Sequence, residues 1–359
     1  MAEEFDHDAK SVNKNHVNEM YQNWFLDYAS YVILERAVPA GLDGLKPVQR
    51  RILHALKEMD DGRFNKVANV IGQTMQYHPH GDASIADAIV NIGQKDLMLD
   101  TQGNWAISGP AIMRRLPGIL KQRLSKFALD VAFNAKITDW QLSYDGRKER
   151  TGDFADEVSV VTGPGCRRDR RGLSTKILPH NFCELIDASI KYLKGRKFEL
   201  YPDFLTEGMI DVTNYNDGKR GGKVRVRVHI EKVDNKSILI KDVPYGVTVP
   251  TLIESIVKAN DSGKIKIKKV TDETAANVSI EIQLAAGVTP DQTIDALYAF
   301  TSCEVSISPN ICVIIGDKPK FITATELLKI SVDETKELLR KELELKLREL
   351  EGQLALFIP

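Results

Sequence analysis

The chain has 359 residues, 43% of them hydrophobic and 28% charged, with a formal net charge of −1. This composition excludes a disordered or fibrous chain, and the length is enough for two cores. The acidic opening "MAEEFDHD" is no signal peptide and no apolar run approaches membrane-spanning length, so a soluble, cytoplasmic protein without a membrane partner is expected.

Residues 18–37, "NEMYQNWFLDYASYVILERA", carry helical spacing and stop at Pro39. A second helix follows in "DGLKPVQRRILHALKEM", with Pro47 in its first turn and Val48, Ile52, Ala55, Leu56 and Met59 as the buried stripe. That stripe leaves Arg50 and Arg51 partly on the other face. "FNKVANVIGQTM" predicts a short third helix, and "GDASIADAIVNIG" a fourth with Asp82 as N-cap and Ile85, Ile89 and Ile92 inward. "LMLDTQGNW" suits a hairpin wing, so a helix-turn-helix core of winged type is expected.

From about residue 185 the period changes. "KVRVRVHIEKV" alternates Val224, Val226, Val228 and Ile230 with Arg225, Arg227, His229 and Glu231, as a strand with one wet face. "SILIKDV", "KIKIKKV", "NVSIEIQL" and "EVSIS" repeat the signal, separated by helical "TLIESIVKAN" and "DQTIDALYAF". The fold class is α+β, multidomain. Ser331 and Glu334 form an S-x-x-E capping box, and Leu339, Leu343, Leu347, Leu350 and Leu354 then make a coiled-coil-like seam that runs to Pro359 with no returning partner. The alternative is one amphipathic helix docked on the second domain.

Cys166, Cys183, Cys303 and Cys312 are scattered without a CxxC, which reads as reduced thiols rather than a zinc site or disulfide frame. The near-neutral total hides basic clusters at 46–51, 114–126 and 218–227, and such local patches suit a phosphate backbone. "YHPHGD" (77–82) sets His78 and His80 just before a helix N-terminus, whose free amides favour an anion. H-x-H alone lacks the further ligands a metal needs, so no metal residues are assigned. Residues 34–51 gather Arg36, Lys46, Arg50 and Arg51 around a tight Gly-containing turn, a weak signal alone because a solvated helix face carries the same charges.

In order, "ERAVPAGLDGLKPVQRRIL", "YHPHGDASI" and "DTQGNW", followed by "RLSKFAL", "LSYDGRK", "GLSTKILPHN", "NDGKRGG" and "DALYAFTSCEVSISPN", resemble the A subunit of the bacterial type IIA topoisomerases, DNA gyrase and topoisomerase IV. The resemblance implies an N-terminal arm helix (1–30), a winged-helix DNA-gate domain (31–150), an α+β tower (151–325) and the start of a coiled-coil arm (326–359, truncated). It implies cleavage and religation of both strands of duplex DNA through a 5′-phosphotyrosyl link. Arg36, Lys46, His78 and His80 would surround the scissile phosphate, and Arg50, Arg51, Lys66, Arg123 and Lys126 would bind DNA. The implied partners are double-stranded DNA, a B subunit and a second copy of this chain. The B subunit would supply ATP hydrolysis and Mg2+, so this chain itself needs no cofactor. Topoisomerase IV is slightly preferred over gyrase.

Two stretches depart from the family. Residues 106–122, "AISGPAIMRRLPGILKQ", hold Gly118 and Ile119 where the family has its Arg-Tyr pair. Read one base out of register, residues 113–122 permit three alanines and then Pro-Arg-Tyr-Ile-Glu-Ala, with the tyrosine falling across Gly118 and Ile119. From Ala155 to Gly172 the other frame permits a hydrophobic run ending in Gly-Ile-Ala-Val. Its isoleucine, at Asp169, matches the family residue that wedges between base pairs. The expectation is two compensated frameshifts, in the gene or in its reading. Resequencing that returned an unshifted gene would overturn it. The chain as it stands is expected to be cleavage-defective, with local disorder at roughly 106–122 and 150–172, where "CRRDRR" replaces a buried segment. The alternative is a non-catalytic winged-helix DNA-binding protein on the same fold.

Overall fold

The computed structural model describes residues 21, 24–95, 97–103, 105, 119–151, 175–204, 206–275 and 277–357. Helix α1 (Phe25–Val32) runs directly into a π-helical turn, Ile33–Ala37, which ends the first expected helix. Residues 1–20 of the arm, and nearly all of the two departing stretches, lie outside the described residues. Within the first stretch Leu120 is buried, and Lys121 and Gln122 belong to a strand. The expected disorder falls otherwise on residues outside those described.

Helix α2 (Pro47–Glu58) begins on Pro47, whose missing N–H is an orphan of the first turn in any case. Strand β1 (Asn65–Lys66) then takes the start of the expected third helix, leaving α3 as Val67–Thr74. The reason is pairing: Asn65 and Lys66 lie opposite Gln122 and Lys121. Helix α4 (Asp82–Gly93) is capped by Gly81 rather than Asp82, whose carboxylate instead accepts the Ala83 amide at 2.8 Å. Strands β2 (Leu99–Gln102) and β3 (Lys121–Leu124) complete an antiparallel sheet in the order β1-β3-β2, and α5 (Lys126–Val131) follows. Ile52, Leu56, Val70, Ile85, Ile89, Leu99 and Leu124 pack between the helices and this sheet. Each such side chain contributes about 1.5–3 kcal/mol by burial.

A hairpin, β4 (Trp140–Leu142) and β5 (Glu149–Thr151), leads to the second region. There, α6 (Phe182–Leu193) precedes β6 (Met209–Asn214) and β7 (Lys223–Arg227). The expected single strand through "KVRVRVHIEKV" is two strands in different sheets. β7 ends at Arg227, and β8 (Ile230–Lys232) begins after a break at Val228–His229. Asp242 satisfies the backbone at the break, its carboxylate accepting the His229 amide at 2.7 Å. β9 (Ser237–Ile240), α7 (Val249–Asp261), β10 (Ile267–Asp272), β11 (Ile280–Leu284), α8 (Pro290–Phe300) and β12 (Glu304–Ile307) follow as the sequence spacing implies. One sheet has the order β10-β11-β9-β8 and the other β12-β7-β6.

A last hairpin, β13 (Cys312–Ile315) and β14 (Lys318–Phe321), precedes the long helix α9 (Ala324–Phe357). The capping box at Ser331 and Glu334 is absent because α9 starts earlier. Thr323 and Glu326 form the reciprocal pair, at 2.9 and 3.0 Å, and Ser331 lies inside the helix. Leu327, Leu328 and Val332 pack into the core, whereas Leu339, Leu343, Leu347, Leu350 and Leu354 are exposed. Helices and antiparallel strands alternate without a parallel sheet, so the described chain is α+β.

Candidate nucleic-acid interface

The turn before α2 is held from two directions. Gly41 donates its amide to the Ile314 carbonyl at 2.8 Å, and the Ile314 amide bonds to Pro39, stitching the turn to β13. A Cβ on Gly41 would lie 2.8 Å from the Ile315 side chain, so this approach requires glycine. From the other side, fully buried Asp43 accepts the Leu45 amide at 2.9 Å and the Arg50 Nε at 2.7 Å. Lys46, at the N-cap of α2, is fixed by its own amide donating to Gln49 Oε1 at 2.9 Å.

Arg50 and Arg51 are both buried, contrary to the half-exposed placement expected from the stripe of α2. Each has an acid to neutralise it: fully buried Asp43 for Arg50, and partly exposed Glu35 for Arg51 at 2.8 Å. Without such partners the burial would cost several kcal/mol. The π-turn carries Glu35 and the exposed Arg36 side by side, and turns of this kind recur at functional sites.

After α3 the chain turns sharply, the Tyr77 and His78 amides both donating to the Thr74 carbonyl. His78 is buried, and its Nδ1 lies 3.0 Å from Arg51 Nη1. The His80 ring meets it edge-on, with centroids 4.8 Å apart. Burial, reinforced by Arg51, His80 and Arg36, holds the His78 pKa down at about 3. Burial, Arg36 and Arg51 lower His80 as well. Both imidazoles are therefore neutral near pH 7, and the positive charge at this site comes from arginine. They sit immediately before α4, a twelve-residue helix whose N-terminal amides favour an anion.

The structure thus brings Arg36, Arg51, His78 and His80 together and sets Lys46 and Arg50 at the head of the same helix as Arg51. Lys66 lies on β1, Arg123 on β3 and Lys126 at the start of α5. Lys66 faces Lys121 across β1–β3, a like-charge pair that a bound phosphate would relieve. Arg123 is half-used by the fold: it donates to Asp100 at 2.9 Å and to the Gly62 carbonyl at 3.1 Å, and covers the Phe64 ring. Lys126 is exposed. Ile119, at the expected place of the tyrosine, is exposed two residues before β3, and Gly118 lies outside the described residues.

Sequence reasoning missed the supports: Glu35, Asp43, and a buried group beneath the histidines. There Tyr77 is fully buried, its hydroxyl 3.4 Å from Lys148 Nζ and hydrogen-bonded to Glu58. His54 packs edge-on against the Tyr77 ring at 4.8 Å. The available signal was chemical, since arginines beside the apolar stripe of a helix need acids nearby if they are buried. Among the described residues no group of three or more His, Cys, Asp or Glu could hold a metal ion. No described helix is long and apolar enough to cross a membrane.

Residues 36–358 match the family of DNA gyrase/topoisomerase IV A subunits. The chain is 43% identical over 325 residues to the DNA topoisomerase 4 A subunit of Borreliella burgdorferi, covering 90% of this chain and 51% of that relative. It is 31% identical over 362 residues to the DNA gyrase A subunit of Lawsonia intracellularis, covering 93% and 44%. To the DNA gyrase A subunit of Pseudomonas aeruginosa it is 28% identical over 384 residues, covering 96% and 41%. The chain therefore spans about half the length of these curated relatives.

Proposed function

The chain belongs to the family of DNA gyrase/topoisomerase IV A subunits, and on that premise we propose that it is the DNA-gate region of a type IIA topoisomerase. The observation that carries this is the convergence of Arg36, Arg51, His78 and His80 at the start of α4. Such a cluster, cationic through arginine and rich in donors, suits one phosphodiester of a duplex. Arg36 and Lys46 neutralise charge on the transferring phosphoryl group, while His78 and His80 orient it and His80 helps move its protons. Lys66, Arg123 and Lys126 hold the flanking backbone, and Arg50 serves by fixing the Lys46 turn through Asp43.

In this reading residues 31–150 are a winged-helix unit, 151–325 a tower and 326–359 the start of a coiled-coil arm. Two A subunits work with two B subunits in the cytoplasm, and the B subunit brings ATP hydrolysis and Mg2+. The higher identity to a topoisomerase IV relative, 43% against 31%, favours that enzyme over gyrase. Cleavage requires a tyrosine oxygen that bonds to phosphorus while the bond to the 3′-oxygen breaks and that oxygen takes up a proton. Ile119 offers no nucleophilic atom, so the chain as it stands binds duplex DNA without cutting it, as a non-catalytic DNA-binding protein on this fold would.

The experiment uses two versions of the chain, one as it stands and one with residues 106–122 and 150–172 restored in frame, each with a topoisomerase IV B subunit, Mg2+ and plasmid. The restored chain is expected to form a covalent DNA adduct after denaturant quenching. The unrestored chain is expected to retard duplex DNA and give none. An adduct on the unrestored polypeptide would refute the assignment of its defect, and absence of duplex binding by both would refute the site.

A further inference from the structure

The geometry around His78 points to a division of labour within the arginine pair. Arginine has only donors, so the 3.0 Å contact from Arg51 Nη1 makes Nδ1 of His78 an acceptor. A neutral imidazole that accepts at Nδ1 carries its proton on Nε2. Arg51 in turn has its other terminal nitrogen committed to Glu35 at 2.8 Å and is only 5% exposed. A guanidinium so enclosed has little surface to offer a phosphate. The exposed Arg36, next to Glu35 on the π-turn, has that surface.

We propose that Arg51 is a positioning residue rather than a phosphate ligand: held by Glu35, it locks His78 as the Nε2–H tautomer, making His78 a fixed hydrogen-bond donor to a phosphodiester oxygen. This rests on the reading that the cluster receives a DNA phosphodiester. The arrangement excludes His78 as the proton acceptor of the reaction through Nδ1, since that nitrogen's lone pair is already engaged. Burial and the neighbouring positive charges act in the same direction, keeping the ring neutral and the donor in place. It also makes the π-turn a mechanical link, because Glu35 sets the tautomer while the adjacent Arg36 meets the ligand. A displacement of this turn would alter both at once.

The test begins with the full chain carrying 15N-histidine, without a variant. Long-range 15N–1H correlation spectra are expected to show His78, identified by its loss in His78→Asn, as a single Nε2–H tautomer near pH 7. A tautomer mixture, or a proton on Nδ1, would overturn the proposal. Arg51→Met is expected to abolish that single pattern. It is also expected to weaken binding of a synthetic DNA duplex about tenfold or more, with the salt dependence of binding unchanged. Arg36→Gln, by contrast, is expected to lower the slope of log K against log salt by about one. A slope reduced by Arg51→Met would show that Arg51 itself meets phosphate, and would also overturn the proposal. Glu35→Gln, which keeps an acceptor for Arg51, is expected to preserve the tautomer, and Glu35→Ala to lose it. These spectra decide the matter even if Arg51→Met does not fold. A single Nε2–H tautomer in a chain that binds no duplex would refute the DNA reading and leave the positioning role of Arg51 standing.

Discussion

Among the described residues, two regions concentrate arginine, and they use it differently. In the first, Arg50 and Arg51 lie inside the protein, each tied to one acid, with side-chain exposures of 6% in both cases. In the second, the outer face of the β12-β7-β6 sheet, Arg225 and Arg227 stand 44% and 46% exposed and share Glu304, with Asp211 also beside Arg225. The same ion-pair chemistry carries different weight in the two places. The buried Arg50–Asp43 pair holds a backbone turn, and buried Arg51, anchored by partly exposed Glu35, holds a histidine ring, because removing either acid strands an arginine away from water. Surface pairs exchange with solvent and are screened by salt, so they tune a surface without fixing anything.

The strongest way to break this comparison is at Asp43. Its side chain is fully buried, and it binds both the Leu45 amide and Arg50. Asp43→Ala is expected to destabilise the protein by about 3–5 kcal/mol in urea denaturation, since Arg50 is left buried without a counter-charge. Replacing both partners by apolar residues, Asp43→Leu with Arg50→Met, is expected to recover much of that loss. A single substitution with a loss near zero would mean that the turn is not held this way.

A second consequence concerns acid. Folded His78 stays neutral down to about pH 3, whereas the unfolded imidazole takes up a proton below about 6.5. Across that window the unfolded chain binds more protons, so stability is present above about pH 6.5 and is lost as pH falls. The slope is about 1.4 kcal/mol per pH unit for one histidine. Burial lowers His54, His80 and His180 in the same direction and steepens the wild-type curve. His78→Asn is expected to remove one histidine's share of the slope between about pH 6.5 and 5, measured by denaturation at several pH values. Coinciding slopes in the two proteins would show that His78 titrates normally and that the cluster is open to water.

Much of this was legible in the sequence, for reasons that differ by element. The helices α2 and α4 followed from apolar spacing, and Pro47 marked a start. The alternation in "KVRVRVHIEKV" gave the correct wet and dry faces yet hid the change of sheet at Val228–His229, because that depends on Asp242, just beyond a later strand. The capping signal at Ser331 lost to an equivalent pair at Thr323 and Glu326, because by Ser331 the chain is already inside the helix. Within the site, the histidines and Arg36 could be picked out from their motifs. Arg50 and Arg51 looked like solvated charges because their partners, Asp43 seven residues back and Glu35 sixteen back, are joined to them only by the fold. Local periodicity reports which side of a helix is apolar, and it is silent about acids brought in by a turn.

The smallest effect is expected on the outer sheet face and sharpens the comparison from its other end. Glu304 sits between Arg225 and Arg227, and both arginines keep close to half of their side-chain surface in water. Glu304→Gln is therefore expected to reduce stability by no more than about 1 kcal/mol. Most of that difference should vanish when the salt concentration is raised from about 0.1 to 1 M, as the Debye length falls from about 10 to 3 Å. The Asp43 effect, shielded from ions by the core, should survive the same salt. Paired denaturation curves at the two ionic strengths measure both. If Glu304→Gln proved as damaging as Asp43→Ala and equally indifferent to salt, exposure would not be what separates the two arginine clusters. The division between residues that fix the site and residues that decorate the surface would then have to be redrawn.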